Sequence, residues 1–305
     1  MPKRYIQIGS ILLAGLTASP LFGDLIHRYS FTTNADDSVG SANGTLVGRA
    51  TVSGGQLQMN NPDFSAGIGA ATNPDPNDGY LTLPPSILPS SGSATIEEWM
   101  TVQGSGFFAE SYSFSNSNND ANPPTGTNGQ YLIHAISAPQ PTSPPGGANT
   151  GGDHIEQTVN GYSSGQQSDA YETTPGLGAD GGGYMDDGDT YFSATVIDGA
   201  AGTLSYYLWD ITEGIGGLQE TIPAIPLSSY SFTNAYLGRS PFVVDNALSG
   251  SIDEFRVYND AQSAADIVAD YAAGPDVVLP EPGSLSLIAL GAAGLLKSRS
   301  RRAAR

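Results

Sequence analysis

"SGSIDEFRVYNDAQSAADIVADYAAGP" occupies residues 249–275, and its two halves follow different periods. Residues 251–259 alternate as a strand does, with successive side chains on opposite faces. Ile252, Glu254, Arg256 and Tyr258 line one face, while Phe255 and Val257 line the other. Glu254 and Arg256 form a charge-assisted pair of architectural character. "SAADIVADYAA" (263–273) then reads as a helix, with Ser263 as N-cap and Asp266 in the first turn.

That helix is the one good helical candidate between the chain ends. The remaining apolar runs read as strands: "LIHRYSF" (25–31), "ATIEEWMTV" (94–102), "QYLIHAIS" (130–137), "TYFSATVID" (190–198) and "TLSYYLWDI" (203–211). Each is rich in β-branched and aromatic residues and bounded by Gly, Asn, Asp or Pro. Strands without alternating helices give an all-β, two-sheet antiparallel sandwich, not an α/β fold. The alternation of 25–31 matches that of 251–258, so these end strands are expected as antiparallel neighbours. Residues 103–129 and 138–189 are long, polar and rich in Gly, Asn and Pro. They are expected as loops decorating one end of the sandwich, functional or mobile.

The chain has 305 residues and a net charge of −19, unevenly spread. Residues 24–275 hold 28 acidic and 4 basic residues, which leaves −24 there, and no lysine. Such a surface repels nucleic acid and attracts cations. There is no cysteine, which excludes disulfides, Cys-based zinc sites, thiol catalysis and a lipoprotein anchor. No linker or internal repeat is evident, so the interior is expected to be one domain.

The chain ends are of another kind. "MPKR" followed by "YIQIGSILLAGLTA" has the charged and apolar regions of an export signal, assigned to residues 1–23. At the other end come Pro280-Glu281-Pro282, an apolar helix-compatible stretch "GSLSLIALGAAGLL" (283–296) and the basic tail "KSRSRRAAR" (297–305). The apolar stretch is shorter than the ~20 residues of a usual span. The basic run would hold its end on the cytoplasmic side. The order of these parts resembles the PEP-CTERM sorting signal. The resemblance implies recognition and cleavage near Pro280, Glu281 and Pro282 by an exosortase. It also implies transient anchoring in the inner membrane and delivery to the cell envelope or extracellular matrix. Residues 1–23, 24–275 and 276–305 are thus expected as signal peptide, folded domain and sorting signal.

"LIHRYSFTTNADDSVGSANGTLVGRATVSGGQLQM" (25–59), "ATIEEWM" (94–100) and "NAYLGRSPFVVDNALSGSIDEFRVYNDAQSAADIVADYAAGP" (234–275) resemble the LamG-like jelly roll of the concanavalin A-like lectin/glucanase superfamily. The resemblance implies a jelly roll and, near the joined chain ends, a structural calcium ion. Asp37 and Asp253 are the expected ligands, with Asp36 beside them. Calcium takes oxygen ligands at ~2.3–2.6 Å. The other reading of these aspartates is turn capping.

The superfamily contains glucanases, which use two carboxylates across the sugar. Their Glu-x-Asp-x-x-Glu pattern is absent here. Glu97 and Glu98 are adjacent and point to opposite faces, and Asp187 and Asp189 sit in a Gly-rich turn; all four are expected as surface acids. His27, His134 and His154 show no metal-ligand spacing, and His27 and His134 are expected as hydrogen-bonded core residues. Tyr162, Tyr171 and Tyr184 are the candidate platforms for sugar stacking. Together these features point to an exported, noncatalytic protein binding carbohydrate, or an envelope protein, through residues the sequence leaves unassigned. A divergent glycoside hydrolase or polysaccharide lyase is the second reading, and a ligand-free structural matrix protein the third.

Overall fold

A computed structural model describes residues 24–62, 77–103, 109–116, 129–136, 153–159, 168–174, 177, 185, 188–242 and 245–279. The expected signal peptide, Pro280, Glu281, Pro282 and the apolar and basic tail, together with Tyr162, Tyr184 and Asp187, lie outside the described residues.

The strands are β1 (Leu25–Tyr29), β2 (Thr45–Val47), β3 (Thr51–Ser53), β4 (Gln56–Gln58), β5 (Tyr80–Leu83), β6 (Ala94–Val102), β7 (Glu110–Ser115), β8 (Tyr131–Ala135), β9 (His154–Thr158), β10 (Ser168–Tyr171), β11 (Thr190–Asp198), β12 (Thr203–Asp210), β13 (Ile215–Pro223), β14 (Asn234–Leu237) and β15 (Gly250–Tyr258). One helix follows, α1 (Ala264–Ala273). Among the described residues no helix is long and apolar enough to cross a membrane.

Two antiparallel sheets face each other. The first is ordered β13-β12-β11-β6-β15-β4-β3, with β1 also on β15. The second is ordered β10-β9-β8-β7-β14-β5-β2. One edge of β15 holds two partners in succession: β4 at Ser251 and Ile252, then β1 along Phe255–Tyr258. The end strands 25–29 and 255–258 are therefore antiparallel neighbours, as their alternation predicts. Asp24 and Asn259 close the pairing. The Asp24 amide donates to Asn259 Oδ1 at 2.8 Å, and the Asn259 amide to the Asp24 carbonyl at 3.1 Å.

The inner faces supply one apolar core. Ile96 and Met100 of β6, Tyr206 and Leu208 of β12, and Phe255 and Val257 of β15 meet Tyr112 and Phe114 of β7, Leu132 of β8 and Leu237 of β14. Burying side chains of this size is the main stabilising term, about 1.5–3 kcal/mol each. One expected face assignment is corrected. Ile252 lies in this core with Phe255 and Val257 and not beside Glu254. A β-bulge at Asp253 breaks the register, since Ile252 pairs with Met100 but Glu254 pairs with Trp99. The extra residue reverses the alternation.

The helix α1 covers the outer face of the first sheet. Ser263 and Asp266 form the capping box at its start. Ile267 packs among Trp99, Phe192 and Trp209. Tyr271 stacks on Trp209 at 4.7 Å between ring centroids and 15° between planes. Such a pair adds about 0.5–1.5 kcal/mol beyond its burial.

The folded unit runs four residues past the expected boundary at 275, through Leu279. The Asp276 amide donates to Glu254 Oε2 at 2.6 Å, and Arg256 Nη2 donates to the Val277 carbonyl at 3.0 Å. The long polar stretches also differ from expectation. They contain β7, β9 and β10, so these parts of 103–129 and 138–189 belong to the second sheet. Because β7, β8, β9 and β10 are consecutive antiparallel neighbours, their connections leave from alternate ends of the sandwich, not from one.

Candidate functional site

Buried charge is concentrated in four places. The first is architectural. Arg256 is fully buried under α1, with its guanidinium 4.5 Å from the Trp99 ring centroid. Its Nε donates to Glu254 Oε1, and its Nη1 stands 3.7 Å from both Glu97 Oε2 and Asp270 Oδ1. Arg28 grips the same Glu254 through two parallel bonds of 2.7 and 2.9 Å. Burial works against the Glu254 charge, but the two arginines outweigh it and hold its carboxyl below the usual range. Glu97, by contrast, is pushed well above its usual value by burial and then by the Asp270 charge. The pair expected at Glu254 and Arg256 is thus the centre of a larger cluster that joins both chain ends to the helix.

The second place is Asp37. Its Oδ1 accepts from the amides of Arg28 (3.1 Å), Val39 (3.1 Å) and Gly40 (2.9 Å). Its Oδ2 accepts from the Ala42 amide at 3.1 Å and from His27 Nδ1 at 2.6 Å. Burial alone would raise this carboxyl, yet His27 and these amides hold it at about 2. A carboxylate so engaged caps its turn and has no lone pair directed at a metal. Asp253 is occupied elsewhere, accepting from Gln56 Nε2 at 2.7 Å. It sits three residues from Arg256, the cross-strand partner of Arg28, which is about 10 Å along the strand. The donor set therefore does not fit a calcium ion shared by Asp37 and Asp253. Among the described residues no group of three or more His, Asp or Glu side chains gathers in metal-binding geometry.

The third place lies between the sheets. His134 Nδ1 is 2.6 Å from Glu98 Oε1 and its Nε2 is 3.0 Å from Asp153 Oδ1, with all three side chains at 0% exposure. The Ser111 and Ser193 hydroxyls donate to Glu98 Oε1 at 2.6 and 3.1 Å. The Tyr206 hydroxyl donates to Asp153 Oδ1 at 3.0 Å. Burial disfavours a charged His134, but Asp153 and then Glu98 override it and push it up to about 9. His134 is the hydrogen-bonded core histidine that was expected. Glu97 and Glu98 are not surface acids. They do point to opposite faces, but one is beneath the helix and the other is inside the sandwich, because β6 is central and covered on both sides.

The fourth place is the outer face of the second sheet. Register aligns two rows across four strands. Glu110, Ala135, His154 and Tyr171 form one row, and Ser113, Ile133, Glu156 and Asp169 form the next. The row passes from fully buried Glu110 to half-buried Tyr171. Tyr171 stacks on His154 at 4.9 Å and 22°. His154 Nε2 stands 3.5 Å from Glu156 Oε2, and the Tyr131 hydroxyl donates to Glu156 Oε1 at 2.6 Å. The connection between β14 and β15 adds Ser240, Phe242 and Asp245. Phe242 meets the Tyr131 ring edge-on at 5.4 Å, and the Ser240 hydroxyl donates to Asp245 Oδ2 at 2.7 Å. Burial pushes Asp245 up to about 7. Burial, then the Asp245 charge, also raises Glu110 well above the usual carboxylate range. Perturbed carboxyls beside partly exposed aromatic rings are the chemistry of a ligand site.

No protein-family model matches the chain, and no curated protein does. Solved structures share the fold at low identity. Domain 4 of AbnA, a GH43 extracellular arabinanase from Geobacillus stearothermophilus, in complex with arabinotriose, is similar over 81% of this chain and 98% of its own, at 18% identity and a TM-score of 0.50. The chain folds as a jelly-roll β-sandwich. Lectin II from Ulex europaeus is similar over 78% of this chain and 99% of its own, at 12% identity and a TM-score of 0.47. The CBM40 of a Ruminococcus gnavus IT-sialidase, bound to α2,3-sialyllactose, is similar over 70% and 96%, at 14% identity and a TM-score of 0.40.

Of the stacking candidates, Tyr171 is placed on the outer face beside His154. Tyr131 and Asp245 lie in stretches that the sequence reading covers without singling them out. Glu110 and Glu156 escape it, because "ESYSFS" and "HIEQT" are embedded in Gly- and Asn-rich surroundings. Their period-2 alternation is the signal that finds them: His154 and Glu156 against Ile155 and Gln157.

Proposed function

We propose that this is an exported carbohydrate-binding component of a bacterial envelope or matrix, sorted by an exosortase and without catalytic activity. The row of Glu110, His154 and Tyr171 beside Glu156 and Asp169 carries the binding reading. Sugar recognition needs flat apolar surfaces for ring faces and fixed acceptors for hydroxyl donors. Half-buried Tyr171 supplies the first, and the half-buried Asp169 carboxyl on the same strand supplies the second. The fold shared with an arabinanase domain solved with arabinotriose agrees with this reading. The signal-like N-terminus and the PEP-CTERM-like tail support the localisation. A glycan array probed with the purified protein tests the binding reading. Saturable binding without turnover supports it. No binding across the array sinks it and leaves a structural matrix protein.

A second reading rests on Glu110 and Asp245. Burial raises both carboxyls, and a carboxyl raised in this way is the kind that serves as a glycosidase general acid. Release of reducing ends from a polysaccharide, abolished by Glu110→Gln, would replace the binding reading with a hydrolytic one.

A further inference from the structure

Arg239 is held differently from the arginines of the buried cluster. Arg28 and Arg256 are neutralised by Glu254. Arg239, just past β14, lies instead against two rings, 4.6 Å from the Tyr80 centroid and 5.2 Å from that of Tyr236. Its Nη1 donates to the Tyr80 hydroxyl at 2.6 Å. Among the described residues no carboxylate pairs with it, in a segment of 28 acids and 4 bases. Its Nε and Nη2 bond to no described residue and are not sealed from solvent. The backbone beneath is fixed. The Ser113 hydroxyl donates to the Arg239 carbonyl at 2.6 Å, and the Gly238 amide to the Ser111 carbonyl at 2.7 Å. A rigid strand end thus presents a guanidinium with one edge free.

The surroundings are open. Tyr80, Thr82, Tyr236 and Arg239 are half-buried, and Thr45 is exposed. The Tyr80 and Tyr236 rings meet edge-on at 5.6 Å and 88°, which makes a corner. Register sets Thr45, Thr82 and Tyr236 in one row across β2, β5 and β14. Hydroxyls therefore continue from the corner to the sheet margin. Burial raises the Tyr236 hydroxyl, the Arg239 charge opposes it, and no carboxyl acts on it. The local field is positive although the chain is acidic, because salt screens charges beyond about 8–10 Å.

We propose that this corner takes the carboxylate of a uronate-bearing glycan, paired with the free Nε and Nη2 edge of Arg239, the sugar lying along Tyr236 toward Thr82 and Thr45. The proposal rests on the glycan-binding reading and adds a contact to it. That contact lies on the same row as Asp169, four strand spacings or about 19 Å away. A carboxylate is the planar double acceptor that a guanidinium edge matches. The two rings hold the guanidinium in place through its faces and leave that edge available. An arginine that only braced the two tyrosines would give no preference for a charged ligand.

The test is isothermal titration of the full-length protein at physiological salt with galacturonate and mannuronate oligomers, their methyl esters, and sodium acetate at equal carboxylate concentration. The chain's net charge favours the neutral esters, so a preference for an acid must come from the local cation. At least one acid oligomer should bind about tenfold or more tighter than its ester and than acetate. Arg239→Gln should erase the preference. Arg239→Lys keeps the charge without the planar edge and should reduce the preference about threefold or more. Tyr80→Phe, which removes the acceptor of Nη1, serves as a milder variant and should reduce it about threefold. Thermal melting checks the fold of each. Equal binding of acid and ester, acetate binding as tightly as the oligomers, or the full preference kept in folded Arg239→Gln overturns the proposal while glycan binding stands. No binding of any uronate overturns the proposal alone, and no binding across the glycan array overturns both.

Discussion

His134 Nδ1 lies 2.6 Å from Glu98 Oε1 inside the sandwich, with neither side chain reaching solvent. The imidazole also meets Asp153 on its other nitrogen, so a charged ring is held between two carboxyls. The sign of its pH effect follows. A histidine whose folded value is raised to about 9 stabilises the fold fully below its unfolded value near 6.5. That contribution is lost as pH rises from about 6.5 toward 9, on the order of 3 kcal/mol. Urea melts between pH 6 and 9.5 should show stability falling across this window. His134→Gln should cost about 3–5 kcal/mol at pH 6, because it leaves two buried carboxyls without their cation, and should flatten the pH dependence. A wild-type curve flat from pH 6 to 9.5 would remove the charged imidazole from the account.

Asp37 works in the opposite direction. Its carboxyl is held at about 2, so its contribution is present above roughly pH 4 and lost as pH falls toward 2. Asp37→Ala frees four backbone amides and His27. It should destabilise by at least about 2 kcal/mol at neutral pH. The loss should be the same in calcium and in chelator, since the cap and not an ion supplies it. A mutant penalty present only with calcium would contradict that assignment.

Arg256→Lys is not a conservative change here. Lysine cannot keep the planar donors that reach Glu254 and the Val277 carbonyl, nor lie as flat over Trp99. It should cost about 2–4 kcal/mol, within the range for breaking a buried ion pair. It should also raise proteolysis in 276–279 before global unfolding, which limited digestion followed by mass spectrometry reads directly. Unchanged digestion at that segment would show that Arg256 does not hold the exit chain.

The C-terminal tail makes a cellular prediction. Envelope material should contain peptides from the 24–279 region and none from "SLSLIALGAAGLL" (284–296). Intact C-termini in the mature fraction would contradict exosortase-type processing.

The framework of the fold is legible where hydrophobic alternation is long and uninterrupted. β6, β11, β12 and β15 are read within a residue or two, and so is α1 with its capping box. Two local features defeat the reading. The Asp253 bulge adds a residue that no period reveals, so Ile252 is assigned to the wrong face. β7, β9 and β10 are short and set among Gly- and Asn-rich segments, so their composition averages to loop. Glu110 and Glu156 go with them, and these lie on the face that carries the binding reading. Glu98 is missed for another reason. A carboxylate in a central strand reads as exposed unless its partners are known, and His134 and Ser111 come from the opposite sheet.

The most direct measurement is affinity for array-identified glycans in wild type, Tyr171→Ala and Glu156→Gln, each shown by melting to be folded. Tyr171 and Glu156 lie on the outer face of the second sheet, away from the buried His134 cluster. Both variants should lose at least about tenfold in affinity, roughly 1.4 kcal/mol, with melting temperatures close to wild type. Undiminished binding in both folded variants would place the glycan site elsewhere and contradict the outer-face assignment.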